Sequence, residues 1–217
     1  MTADEIINIV YLVGISSFAV SGVIAAARAE LDFFGALLVG LLCAVGGGTL
    51  RETLLGNTPV YWMHNRVILP TVLTVAVIAF ILVRYLVIPR WLLELTDIAG
   101  LAIVTVIGAK AAIAAQATAP AVWVLAVLTG VTGEIIRDLL VNQSPPTLLV
   151  REIYAAASFV GAVVYWGHHR LGGDDLSGTI IAVTVIAVIR VLAIWRGWHL
   201  PKARLRLQPH SSLADEL

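Results

Sequence analysis

Three stretches of this chain, Ile6 to Ala27, Phe33 to Leu50 and Val67 to Val83, hold no charged residue. Each approaches the ~20 residues that an α-helix needs to cross a hydrocarbon core. Four more apolar stretches follow, Thr96 to Ala115, Ala121 to Val141, Ile153 to Trp166 and Leu176 to Trp195, each containing or abutting only a few ionisable groups. Lipid offers no partner to backbone N–H and C=O groups, so runs of this kind must fold as helices that satisfy themselves. The expected fold is an all-α membrane protein with seven transmembrane helices. Short breaker segments join them: Arg28 to Asp32, Gly56 to Pro59, Pro89-Arg90, Gln116 to Pro120, Ser144 to Pro146 and Gly172 to Asp175. Of the 217 residues 59% are apolar and 13% charged, against about 45–50% and about 25% in soluble domains. A soluble enzyme is excluded on that ground.

Fourteen basic and fourteen acidic side chains cancel, and no arginine-rich or aromatic stripe points to nucleic acid. Cys43 is the sole cysteine, which excludes an intramolecular disulfide and a cysteine-based metal cluster. His168 and His169 are adjacent, so they point apart on a helix and no metal site is expected there. No nucleotide loop, nucleophile elbow or zinc signature occurs, so neither an enzyme nor a resident cofactor is expected. Lys and Arg collect after the last stretch, at Arg196, Lys202, Arg204 and Arg206, while the amino-terminal segment has none. Positive charge stays inside, which predicts a cytoplasmic carboxyl terminus and an external amino terminus in the cell (inner) membrane. Arg28, Arg90 and Arg151 fall in inside loops on this reading, and Arg66 and Arg170 outside. The acidic start lacks a cleavage site, so no cleaved signal peptide is expected.

Displacing the chain against itself by 86 positions brings Gly14 onto Gly100, Gly22 onto Gly108, Gly47 onto Gly133, Arg51 onto Arg137, Glu52 onto Asp138, Leu54 onto Leu140 and Pro59 onto Pro145. Each copy holds three spans, an odd number, so the second copy must insert upside down relative to the first. The expected organisation is a three-helix repeat over 1–90, its inverted partner over 91–170, a seventh helix over 171–200 and a basic tail over 201–217. Inverted repeats place equivalent irregular helices face to face near the midplane, which suggests a permeation or transport path.

Gly46, Gly47 and Gly48 interrupt the second stretch, each forfeiting about 1 kcal/mol of helix propensity relative to alanine. A bend that bares carbonyl oxygens to an ion explains the cost, with close helix packing as the alternative. Gly130 and Gly133 mark the matching region of the fifth stretch, and Thr49 and Thr132 are candidate hydroxyls beside the glycines. Arg51 and Arg137, followed by the carboxylates Glu52 and Asp138, lie toward span ends, where arginines face a wet cavity, pair with a partner or snorkel. Glu134 precedes Arg137 by three residues, a spacing at which helical side chains meet. Lys110, deep in the fourth stretch, is the only lysine outside the tail; it reads as a gate or charge-tuning residue, with snorkelling as the alternative. Ser17 and Ser21 recur at helical spacing and serve either packing or ion contact. Asp97 reads as a helix N-terminal carboxylate rather than a binding group.

The segment from Gly46 to Pro59, with its echo from Gly133 to Pro145, resembles the trimeric intracellular cation channel (TRIC) family, in its short prokaryotic form and over nearly the whole chain. The resemblance implies a homotrimer embedded in membrane lipid, with a potassium-permeable pore in each protomer. It maps pore bends to Gly46, Gly47, Gly48 and Gly133, motif arginines to Arg51 and Arg137, and a fourth-helix lysine to Lys110. Permeant K+ or Na+ and bound lipid are the only small partners implied. Glu52 stands where the pattern commonly has aspartate, and Thr132-Gly133-Glu134 replaces the second glycine triplet, placing a carboxylate in the path. A secondary transporter of a small amino acid such as glycine is the alternative function, because inverted repeats also build carriers.

Overall fold

A computed structural model describes residues 3–143 and 153–198. Eight helices occur among them: α1 (Ala3–Arg28), α2 (Phe33–Leu55), α3 (Tyr61–His64), α4 (Ile68–Tyr85), α5 (Arg90–Ala114), α6 (Ala119–Leu140), α7 (Ala155–Arg170) and α8 (Asp175–Arg196). The breaker segments set their ends. Asp32 caps α2 by accepting the Gly35 N–H at 2.7 Å. Gly56, at φ 73°, ends that helix in the left-handed region that glycine enters without a Cβ clash. Asp174 and Gly197 play the same two parts for α8, and Pro89 precedes the first turn of α5.

All of α1, α2, α4, α5, α6 and α8 are long and apolar enough to cross a membrane. The sixth expected span differs, since α7 has 16 residues. The segment before it, with Ser144 to Pro146 and Arg151, lies outside the described residues, as do Lys202, Arg204, Arg206 and the rest of the tail. Two further differences are plain. The four-residue α3 was not expected, and α5 starts at Arg90 rather than Thr96. Trp91 to Leu95 contains no breaker, so the helix runs back to Pro89, and Asp97 sits inside it rather than at its start.

Glycines govern how the helices meet. A Cβ on Gly22 would lie 2.7 Å from the Gly40 Cα, and one on Gly108 would lie 3.0 Å from the Ala126 Cα. These are equivalent contacts, α1 on α2 and α5 on α6. At the centre, a Cβ on Gly47 would lie 2.0 Å from the Thr129 carbonyl oxygen, and one on Gly133 would lie 2.2 Å from that of Cys43. The repeat maps Gly47 onto Gly133 and Cys43 onto Thr129, so α2 and α6 cross about their own pseudo-two-fold axis and run antiparallel. Helix α1 is likewise antiparallel to α5, with Gly14 against Ile103 and Phe18 against Gly100. Equivalent helices of the two copies therefore point in opposite directions. Phe18, Ile15, Leu101, Val72 and Val122 fill the interior, and Ile78, Ile81, Val124 and Val188 are exposed on the outside, as a lipid-facing surface requires.

Helix α2 is uninterrupted through Gly46, Gly47 and Gly48, so the expected bend takes no form of a break that bares carbonyls. Gly47 and Gly133 serve the packing alternative, because only glycine admits the opposing backbone at that distance. Gly46 faces the Ile136 side chain, and a Cβ on Gly48 would meet nothing nearer than the Tyr11 hydroxyl at 3.7 Å. Gly47→Ala should therefore destabilise the protein by about 1–3 kcal/mol through overpacking. Gly48→Ala should be neutral or stabilising by up to about 1 kcal/mol through helix propensity. Thermal unfolding of the two variants in detergent separates these outcomes.

Candidate functional site

A cavity of about 510 Å³ opens at one end of the bundle, lined in part by Ala25, Arg28, Glu94, Asp97, Glu134, Arg137, Tyr154 and Arg190. A second, of about 440 Å³, is lined by Ile7, Asn8, Tyr11, Arg51, Glu52, Tyr61, Ile107, Lys110, Ala111 and Ala114. They lie at opposite ends of α1, since Tyr11 and Ala25 are separated by about 20 Å of helix. The repeat relates them: it carries Asn8, Tyr11, Arg51, Ala111 and Ala114 onto Glu94, Asp97, Arg137, Ala25 and Arg28.

Arg137 is 3% exposed and sits among carboxylates from two helices. Its Nε donates to Asp138 Oδ1 at 2.9 Å, and Nη1 donates to Asp97 Oδ1 at 2.7 Å and to Ser21 Oγ at 2.5 Å. The Ser21 hydroxyl in turn donates to Asp97. Glu134 Oε1 stands 3.5 Å from Nη1, which is the intrahelical pair its spacing predicts, at a long distance. A buried guanidinium is tolerated only where carboxylates offset its lost hydration, and this one ties α6 to α1 and α5. The reading of Asp97 as an N-terminal helix carboxylate is corrected here: it is the ion-pair partner of Arg137.

Around the other cavity, Arg51 donates from Nε and Nη2 to Glu52 Oε1 at 2.8 and 2.6 Å, and Asn57 donates to Glu52 Oε2 at 3.0 Å. Lys110 is paired with Asp175 at the start of α8, which also accepts from the Tyr165 hydroxyl. Both side chains of that pair remain about a third exposed, so Lys110 borders the cavity and ties α5 to α8 at once. Next to it, the Ser177 hydroxyl and amide hold the Asp174 carboxyl below the usual carboxylate range.

The hydroxyl and small-residue candidates divide. Ser21 joins the Arg137 cluster, whereas Ser17 donates to the Val13 carbonyl of its own helix and lines neither cavity. Thr49 bonds back to Val45 and accepts from the Trp62 indole, and Thr132 bonds back to Leu128. Gly130 packs on the Thr105 hydroxyl. Sequence reasoning passed over Arg190, whose guanidinium lies 4.5 Å above the Tyr154 ring; an arginine within an apolar stretch was the available signal. It also passed over Asp175 and Tyr165.

Antiparallel equivalent helices, a glycine crossing at their centre and a charged cavity at each end define an all-helical membrane protein with duplicated architecture. A family model described as "Glycine transporter" matches residues 8–84 and again 94–170, two matches offset by the same 86 positions as the repeat. The chain is 36% identical over 195 residues to the UPF0126 inner membrane protein YadS of Escherichia coli K12, covering 87% of this chain and 91% of that protein. It is 35% identical over 200 residues to the UPF0126 membrane protein YvgT of Bacillus subtilis, covering 90% and 96%. The solved TRIC channel orthologue from Rhodobacter sphaeroides matches with a TM-score of 0.83 and 30% identity over 88% of this chain and 98% of that one. A structure reported as the basis of conductance through TRIC cation channels matches with a TM-score of 0.84 and 29% identity, over 93% and 98%. The chain belongs to the glycine transporter (UPF0126) family, with the fold of the prokaryotic TRIC channels.

Removing one partner of the Arg137 network should be costly. Asp97→Asn is expected to destabilise the protein by about 1.5–3 kcal/mol, because Arg137 keeps Asp138 but loses its charge-assisted hydrogen bond to α5. Combined with Arg137→Gln, the loss should fall short of the sum of the single losses by about 0.5–3 kcal/mol. A double-mutant cycle on unfolding in detergent measures this coupling.

Proposed function

We propose that this protein is a potassium-permeable monovalent cation channel, with one pore inside each protomer of a homotrimer. The observation that carries this reading is the pair of cavities entering one bundle from opposite ends, both lined by α1 and α5, with α2 and α6 crossing at the middle of the bundle. At that crossing Gly47 and Gly133 seat on opposing backbone, and Cys43 packs there in one buried cluster with Ile15, Phe18 and Leu101. Parting the two helices there would expose the Cys43 and Thr129 carbonyl oxygens, groups able to replace part of a cation's water shell. Similarity to TRIC cation channels supports both the conduction and the threefold assembly.

On this reading the chain crosses the cell membrane seven times. Residues 1–90 and 91–170 form two inverted three-helix units, and α8 is the seventh crossing. The amino terminus lies outside and the carboxyl terminus in the cytoplasm, so the Arg137 cavity opens inward and the Arg51 cavity outward. Arg51, Arg137 and Lys110 set the local potential at the two mouths. A carrier of a small amino acid such as glycine is the second reading. It is favoured by the separation of the two cavities, which suits alternating access, and by the description of the family model.

Recording from purified protein in planar bilayers with KCl decides between them. The channel reading expects stepwise unitary currents and a reversal potential that follows K+ rather than Cl− in a gradient. Saturable glycine uptake without current steps would establish the carrier instead.

A further inference from the structure

Arg51 and Arg137 are equivalent under the repeat, and both are buried, at 4% and 3% exposed. Their surroundings differ at the Nη1 nitrogen. That of Arg137 donates to Asp97 and Ser21 and faces Glu134. The displacement of 86 positions puts Tyr11, Ile107 and Gly48 in those three places. Relative to Arg137, Arg51 therefore lacks two carboxylates and a hydroxyl at one corner of its guanidinium, and its Nη1 has no hydrogen-bond partner among the described residues. Buried polar atoms are nearly always satisfied in folded proteins, so the unmet donor marks a place where something else binds.

The vacated corner opens on a cavity. Arg51, Tyr11 and Ile107 all line the space of about 440 Å³, and within 4 Å a Cβ on Gly48 would meet only the Tyr11 hydroxyl at 3.7 Å and the Arg51 Nη2 at 4.0 Å. The neighbouring groups are donors as well. The Tyr11 hydroxyl interacts with the guanidinium, but a phenol that accepts a hydrogen bond still has its own proton to place. Tyr61 lines the same cavity and accepts from the Asn65 amide at 2.7 Å, so its proton is likewise left to give. Lys110 directs one of its three N–H groups to Asp175. Such a surplus of donors calls for a carboxylate, and Arg137 shows in the same protein that a carboxylate at that corner is accommodated.

Charge narrows the class of ligand. Arg51 is already matched by Glu52, and Lys110 by Asp175, so a simple anion would bring an uncompensated charge into a largely buried place. A zwitterion would not. Glu52 Oε2 accepts from the Asn57 amide at 3.0 Å and retains a lone pair for an ammonium group. We propose that the Arg51 cavity binds a small amino acid, with its carboxylate on Arg51 Nη1 and the Tyr11 hydroxyl and its ammonium group on Glu52. The apolar wall of Ile7, Ile107 and Ala111 suits a short, uncharged side chain. The site stands on the surroundings of Arg51 and not on the conduction reading, since an occupant there would block a pore or be the cargo of a carrier.

Equilibrium dialysis of purified protein in detergent against radiolabelled glycine tests the site. The wild type should bind one glycine per chain saturably, with acetate competing only at about tenfold or higher concentration and methylammonium less still. Tyr11→Asp supplies the carboxylate that Asp97 gives Arg137, and it should abolish binding in a protein that still unfolds cooperatively. Tyr11→Phe removes one hydroxyl and should weaken binding about 3- to 10-fold. If Tyr11→Asp does not fold, the wild type, the competitors and Tyr11→Phe carry the test. Absence of saturable glycine binding up to about 10 mM, or unchanged binding in either folded variant, would overturn the site and leave Arg51 solvated by water. Acetate competing as well as glycine would overturn the zwitterion assignment. Unitary currents without glycine binding would sink the site and spare the channel, whereas glycine binding without currents would sink the channel and spare the site.

Discussion

The crossing of α2 and α6 is a contact between backbones: Gly47 rests on the Thr129 carbonyl and Gly133 on that of Cys43. Apolar association gives helices little preference for one another in lipid, so close approach and dispersion must supply it. The two glycines allow that approach where no Cβ would fit. Because the contact maps onto itself under the repeat, it fixes the pseudo-two-fold axis and orients one three-helix unit against the other. Each cavity takes part of its wall from one of the two crossing helices, α6 at the Arg137 end and α2 at the Arg51 end, while α1 and α5 line both.

Charges occupy the ends that this geometry opens. Arg137 draws on Asp97 from α5, Ser21 from α1 and carboxylates on its own helix. Arg51, its counterpart, relies on the adjacent Glu52. The same duplicated arginine thus meets an acid-rich environment in one cavity and a tyrosine-rich one, with Tyr11 and Tyr61, in the other. Duplication supplied the scaffold, and divergence at a few lining positions made its two mouths chemically unlike. Lys110 belongs to this asymmetry, since the position the repeat pairs with it is Ile24.

Much of the fold was legible because lipid imposes a simple rule on length and charge. Uncharged runs marked the helices, the caps Asp32 and Asp174 stood where breakers were read, and the spacing of Gly47, Arg51, Gly133 and Arg137 disclosed the duplication. What stayed hidden was pairing between helices. Nothing local ties Asp97 to Arg137 or Asp175 to Lys110, and each pair exists only once antiparallel helices bring distant residues level. The glycine triplet misled in a different way. Loss of helix propensity shows that glycine is required but not whether a bend or a close neighbour requires it, and Gly47 answers for the neighbour. The start of α5 was misplaced because the apolar run was counted only from Thr96, although a helix continues through charges such as Glu94 that line a cavity.

Inversion of the two copies is the claim on which everything functional depends, and the equivalent positions Ala25 and Ala111 line opposite cavities. In a Cys43→Ala background, Ala25→Cys and Ala111→Cys should each react with a membrane-impermeant maleimide from one face only, the first from the cytoplasm and the second from outside. Labelling of both positions from the same face would contradict the inverted arrangement and the route between the cavities with it.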